Sequence, residues 1–132
     1  MDEMNRLDDL VDLLVLDIPL YLRCSPGPEA DAGHPSVDRE SGLRLSGHSA
    51  VPLCPPDWWT LPVEDWLARR LCQCLWQAPI GAARPWVLTG EVVDYGPDDE
   101  PLLVYVKPIA WLTGELIEEA RERYEARLRV GA

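Results

Sequence analysis

The sequence predicts an α+β domain: a small, mainly antiparallel sheet packed by about three helices, with a long irregular loop. Three observations carry this. Apolar residues recur at helical spacing in three separate stretches, near residues 6–16, 62–77 and 113–128. Two runs of strand composition, 86–95 and 102–106, flank the turn chemistry of Gly96-Pro97-Asp98-Asp99. Between Ser25 and Gly42 the pattern dissolves into Pro, Gly, Asp, Ser and His. A chain of 132 residues has the length of one domain, since two halves would each bury too little apolar surface. Residues 1–132 are therefore read as a single unit.

The elements follow in order. Leu7, Leu10, Val11 and Leu14 lie on one helical stripe, with Asn5 as N-cap, Asp8 and Asp9 in the first turn and Pro19 beyond the end. Leu20 to Cys24 alternates as a short strand, and Leu43-Arg44-Leu45 reads as another. Val51-Pro52-Leu53-Cys54-Pro55-Pro56-Asp57 is extended, because its prolines remove backbone donors. Pro62 opens a second helix whose stripe is Val63, Trp66, Leu67, Leu71 and Cys74, and Pro79 and Gly81 break it. In the run 86–95 Gly90 is read as a bulge. The following run continues past Pro108 through Ile109-Ala110-Trp111. Thr113 caps the last helix, with Leu116, Ile117, Ala120, Tyr124 and Leu128 on its inner face. Glu119–Arg123 and Glu125–Arg129 stand at ion-pair spacing along it.

Composition excludes some functions. Twelve basic against 23 acidic residues leave a formal charge of −11, which repels phosphate backbones and anionic headgroups. Neither a broad nucleic-acid surface nor a membrane surface is expected. No apolar run approaches the ~20 residues of a membrane span, and the acidic Met1-Asp2-Glu3-Met4 is unlike an export signal. The expected compartment is the cytoplasm, with Cys24, Cys54, Cys72 and Cys74 reduced. Cys72 and Cys74 stand two apart on a helix and point to different sides, so no metal site is expected, nor a cofactor.

Chemistry-bearing residues concentrate in the irregular stretches. Arg23 ends a strand, Ser25 follows it, Asp31, Glu40 and Ser41 lie in the long loop, and Glu100 precedes another strand. An arginine can grip phosphate or carboxylate with two parallel hydrogen bonds, and a glutamate can orient a hydroxyl or act as a base. The order Arg23, Ser25 or Ser41, then Glu40 or Glu100 is loosely similar to that of mono-ADP-ribosyltransferases, without their paired acidic motif. Trp58 and Trp59 are either core, standing in for the phenylalanine this chain lacks, or the wall of a ligand or partner surface. His34 and His48 occupy loops where a base could be held, and Cys24 is the best placed of the thiols. No phosphate-binding glycine loop, nucleophile elbow or zinc-helix motif is present.

Several segments hang together as one pattern: Arg23 to Asp31, Glu40-Ser41-Gly42, Pro55-Pro56-Asp57-Trp58-Trp59, Trp66 to Leu71, Arg84 to Gly90, and Gly96 to Leu102. With them the chain resembles DUF6098, a family of short actinobacterial proteins of unknown function, over nearly its whole length. The resemblance implies one unit and no particular activity. It also implies Trp where this chain has Cys24 and Leu where it has His48, so neither residue has a family-wide role. The expected function is a small-molecule- or partner-binding accessory domain. The alternatives are a small enzyme acting on a nucleotide or metabolite through Arg23, Glu40 and Glu100, and a homodimeric interaction module.

Overall fold

The computed structural model describes residues 1–77 and 83–128. Its elements run β1 (Asp2–Met4), α1 (Leu7–Leu14), β2 (Tyr21–Ser25), α2 (Pro28–Asp31), β3 (His48–Ser49), β4 (Val51–Pro52), α3 (Val63–Gln77), β5 (Arg84–Tyr95), β6 (Pro101–Leu112) and α4 (Gly114–Arg127). This is an α+β fold, and the strands form one sheet in the order β1-β6-β5-β2-β4, with β3 on β6. All pairings are antiparallel except β1, which lies parallel to the end of β6.

The short segment His48–Pro52 has a disproportionate effect on shape. Its first half pairs with Leu102 and Leu103 of β6, and its second half pairs with Tyr21 and Leu22 of β2. The ladder β6–β5–β2 therefore returns to β6 through this segment, and the sheet curls into a ring. Three register shifts in the β5–β6 hairpin supply the curvature. One leaves Tyr105 with φ +52, while Gly90 opposite comes close to the backbone of Val104. The bulge expected at Gly90 is present, but its extra residue lies on β6.

Alternation along the strands separates two cores. On one face Leu22, Val87 and Leu112 meet Leu7 and Leu10 of α1, Leu67 and Leu71 of α3, and Leu116 and Ala120 of α4. A chain without phenylalanine fills this layer with leucine, each fully buried side chain contributing about 1.5–3 kcal/mol. On the other face Trp86, Leu88, Leu103 and Ala50 form a smaller cluster. α3 and α4 are joined by charge as well: Asp65, 2% exposed, accepts from Arg123 Nε at 2.6 Å and Arg127 Nε at 3.0 Å.

Several local expectations change. The N-cap of α1 is Arg6 rather than Asn5, and its N–H donates to Asp9 Oδ2 at 3.2 Å. Thr113 caps α4 as expected, accepting from the Leu116 N–H. Arg44 makes only an isolated bridge to Val37, so residues 43–45 are no strand. Glu119 and Arg123 each bond elsewhere, to Arg6 and Asp65, because tertiary partners outcompete the pair along the helix. Arg129, Pro79 and Gly81 lie outside the described residues.

Candidate functional site

β2 sends Leu22 and Cys24 towards α3 and turns Arg23 and Ser25 to the opposite face. Arg23 there laces the long loop to the sheet. Its Nε donates to Asp31 Oδ2 at 2.8 Å, and its Nη1 donates to Ser36 Oγ at 3.2 Å and to the Ser49 carbonyl at 2.6 Å. Ser25, which is buried, donates to Asp31 Oδ2 at 2.6 Å and accepts from the Gly27 N–H and from Trp86 Nε1. Gly27 has φ +134, and a Cβ there would lie 2.7 Å from the Trp111 ring, so only glycine suits this turn. The one-turn helix α2 that follows brings Asp31 back to Arg23.

Beside this clamp a cleft of about 570 Å³ opens between β2, α3, the β5–β6 turn and the loop. It lies within the usual 300–1,000 Å³ range of small-molecule sites. Arg23, Arg39 and Arg70 line it together with Asp98 and Glu100, and Cys24 and Cys74 are in its wall. Glu100 accepts from the Asp98 N–H at 2.8 Å, which fixes the turn. A neighbouring cavity of about 380 Å³ shares Val51, Arg70, Asp98 and Glu100, so the two form one groove.

Arg70 is the unusual member. Its guanidinium carbon lies 4.7 Å from the centroid of the Trp66 ring, and its Nε is buried without a hydrogen-bond partner among the described residues. Burial, followed by the neighbouring charge of Arg69, lowers its pKa. A half-desolvated cation with an unused donor is costly unless something satisfies it.

The cysteines differ from one another. Cys24 and Cys74 bring their sulfurs to 2.9 Å, Cys72 is buried, and Cys54 is exposed. The hydrogen bond between the pair raises the pKa of Cys24 and lowers that of Cys74; burial acts upward on both and Arg23 downward on both. Sequence spacing gives Cys24 no near partner, whereas the fold supplies one from a distant helix. Among the described residues no three of His, Cys, Asp or Glu are grouped to hold a metal ion.

A second cavity of about 350 Å³ lies under the loop on the other face, between α2, His48 and the curled strands. Trp86, Leu88, Leu103 and Val106 make it apolar, and the strained Tyr105 stands at its edge. His48 Nδ1 is buried there without a partner among the described residues. Burial, then the Arg23 charge, hold its pKa below the ordinary 6.5, with Asp31 opposing.

The expected site residues thus separate. Arg23 and Glu100 share the cleft, Asp31 faces the second cavity, and Ser25 is occupied by its three hydrogen bonds. Glu40 and Ser41 are exposed at a loop tip organised by Asp38, where Ser41 Oγ donates to Asp38 Oδ2 at 2.5 Å. Their neighbour Arg39 reaches the cleft instead. Trp58 and Trp59 line neither cavity; they pack edge to face with Trp66, Trp58 remaining 67% exposed. Arg39, Arg70 and Cys74 were not singled out from the sequence as site residues.

A family model, DUF6098, described as a family of unknown function, matches residues 1–131. The chain belongs to DUF6098. The match takes in every element of the fold, so the groove and the clamp both lie within the DUF6098 unit. No curated protein and no solved structure matches the chain. No helix among the described residues is long and apolar enough to cross a membrane.

Proposed function

We propose that this DUF6098 chain is a small-molecule-binding domain whose groove takes an anionic metabolite, a carboxylate or phosphate compound, on Arg70. The observation that carries the reading is Arg70, a partly buried cation with an unpartnered Nε, lining a cleft that Arg23 and Arg39 also line. An anionic group in the cleft would offset the desolvated charge of the Arg70 guanidinium, while Arg39 could close over it from the loop. Asp98 and Glu100, which also line the cleft, favour a ligand that presents hydroxyl or amino groups as well. In a mostly acidic molecule Arg39 and Arg70 would offer a local contact to a small anion, while a long polyanion meets repulsion over the rest of the surface.

Arg23 is a framing residue in this reading, because Asp31, Ser36 and Ser49 already take its Nε and Nη1. An enzyme using Arg23 with Glu40 or Glu100 has Arg23 and Glu100 in one cleft in its favour, but Glu40 does not line it, Ser25 is enclosed and the Arg23 donors are largely taken. A partner surface has one observation in its favour, the exposed Trp58 indole.

The test is a thermal-shift series with sugar phosphates, nucleotides, dicarboxylates and acidic amino acids. A native-state ligand at about 100 times its Kd should add about 2.7 kcal/mol of stability. At least one compound should raise the melting temperature of the wild type, and Arg70→Gln should abolish that shift. A shift that survives Arg70→Gln, or no shift from any anion, overturns the reading and moves attention to the Trp58 surface.

A further inference from the structure

Cys24 and Cys74 are 50 positions apart in the chain, yet the packing of α3 on β2 brings their sulfurs into contact at 2.9 Å. Both also line the open cleft, so a small molecule can reach them. Cys72, two residues along the same helix, is buried in the opposite direction, and Cys54 is exposed. The arrangement is therefore a specific pair, set in the wall of a cleft that Arg23 also lines.

The two sulfurs are not equivalent. Either sulfur can donate across the contact, and the positive charge of Arg23 lies close enough to act on both. The contact between the sulfurs is what separates them, lowering the pKa of Cys74 and raising that of Cys24, while Arg23 favours the thiolate at either. A nucleophilic thiolate in contact with a second thiol is the arrangement that thiol–disulfide exchange requires.

We infer that Cys24 and Cys74 form a redox-active dithiol that reduces low-molecular-weight disulfides. The Cys74 thiolate attacks one sulfur of the disulfide, forming a mixed disulfide as the substrate S–S bond breaks and the first thiolate leaves. That thiolate takes the Cys24 proton. Cys24 sulfur then attacks Cys74 Sγ, the Cys24–Cys74 bond forms, and the second substrate thiolate departs to be protonated by water. The two cysteines are oxidised and the substrate disulfide is reduced to two thiols. Oxidation also tethers α3 to β2 across the groove wall. The inference goes beyond the proposed anion site and depends on the sulfurs alone, so Arg70→Gln should leave it intact.

Oxidised glutathione is the probe. The reduced full chain is incubated with it, alkylated, and mapped by mass spectrometry with fragment ions that separate Cys72 from Cys74. The expected product is a Cys24–Cys74 linkage with the loss of two hydrogens, while the exposed Cys54 collects glutathione and shows that the reagent is active. Cys24→Ser should halt the reaction at one glutathione on Cys74, and Cys74→Ser should leave Cys24 unmodified. Glutathione accumulating on Cys24 or Cys74 of the wild type without the linkage would overturn the inference. So would modification of Cys54 while both cleft thiols stay free, and neither result depends on a variant folding.

Discussion

His48 shows how a single side chain can couple the fold to pH. Its ring is half-buried beside the apolar cavity, with Nδ1 lacking a partner among the described residues and Arg23 near enough to disfavour a second positive charge. The folded protein thus holds the imidazole neutral, below the ordinary pKa of 6.5. As pH falls through about 6.5 the unfolded chain takes up the proton first, so stability declines until the folded ring also protonates, and then levels off. Urea midpoints of the wild type should fall between about pH 7 and pH 5. His48→Gln should flatten that part of the profile, and an unchanged slope would remove His48 as its source. At this scale the sequence is half legible. Arg23 and Glu100 stand out because charge at a strand end invites attention. Arg70 does not, since an arginine on an amphipathic helix reads as a solvated residue until the partner elements are in place. Cys24 and Cys74 become a pair only through tertiary contact.

Among the elements, the contact of α3 with α4 rests on one buried carboxylate. Asp65 serves twice: in the first turn of α3 it complements the helix dipole, and its side chain receives two arginines from α4. Removing a partner from a buried ion pair costs about 3–5 kcal/mol, and the partial exposure of Arg123 and Arg127 reduces this. Asp65→Asn should therefore destabilise the protein by roughly 2 kcal/mol in denaturant unfolding, discounted from that range. Glu119→Gln, which loses the exposed Arg6 pair but keeps an oxygen for the Leu7 N–H that Glu119 also accepts at 3.0 Å, should cost under about 1 kcal/mol, and equal losses would show that neither contact is special. Both long helices declare themselves by period and by caps such as Thr113. Elements of two or three residues carry no period, so β1, β3 and β4 escape sequence reading. The long loop is legible as irregular, but its anchors are not: Ser36 and Ser49 look like ordinary loop serines until Arg23 gathers them.

For the whole molecule the governing quantity is charge. A formal charge of −11 on 132 residues is self-repulsive, and the described ion pairs offset it only locally. Raising salt from about 10 mM to above 100 mM shortens the screening length from about 30 Å to 10 Å or less. The melting temperature should rise, by about 3–6 °C if the relief is of order 1 kcal/mol. A fall would mean that pairs such as Asp65 with its arginines outweigh the global field. The α+β class and the β5–β6 hairpin follow from composition and turn chemistry. Ring closure by His48–Pro52 does not, because it depends on backbone pairing with two distant strands at once.

The parallel seating of β1 on β6 has a consequence for order in time. Asp2, Glu3 and Met4 take their places beside Ala110, Trp111 and Leu112, and the Thr113 N–H bonds the Met4 carbonyl at 3.0 Å. During synthesis the first strand therefore waits for the last. The sheet cannot be finished by any nascent chain shorter than this seam, so its completion waits until Leu112 has been made and released to fold.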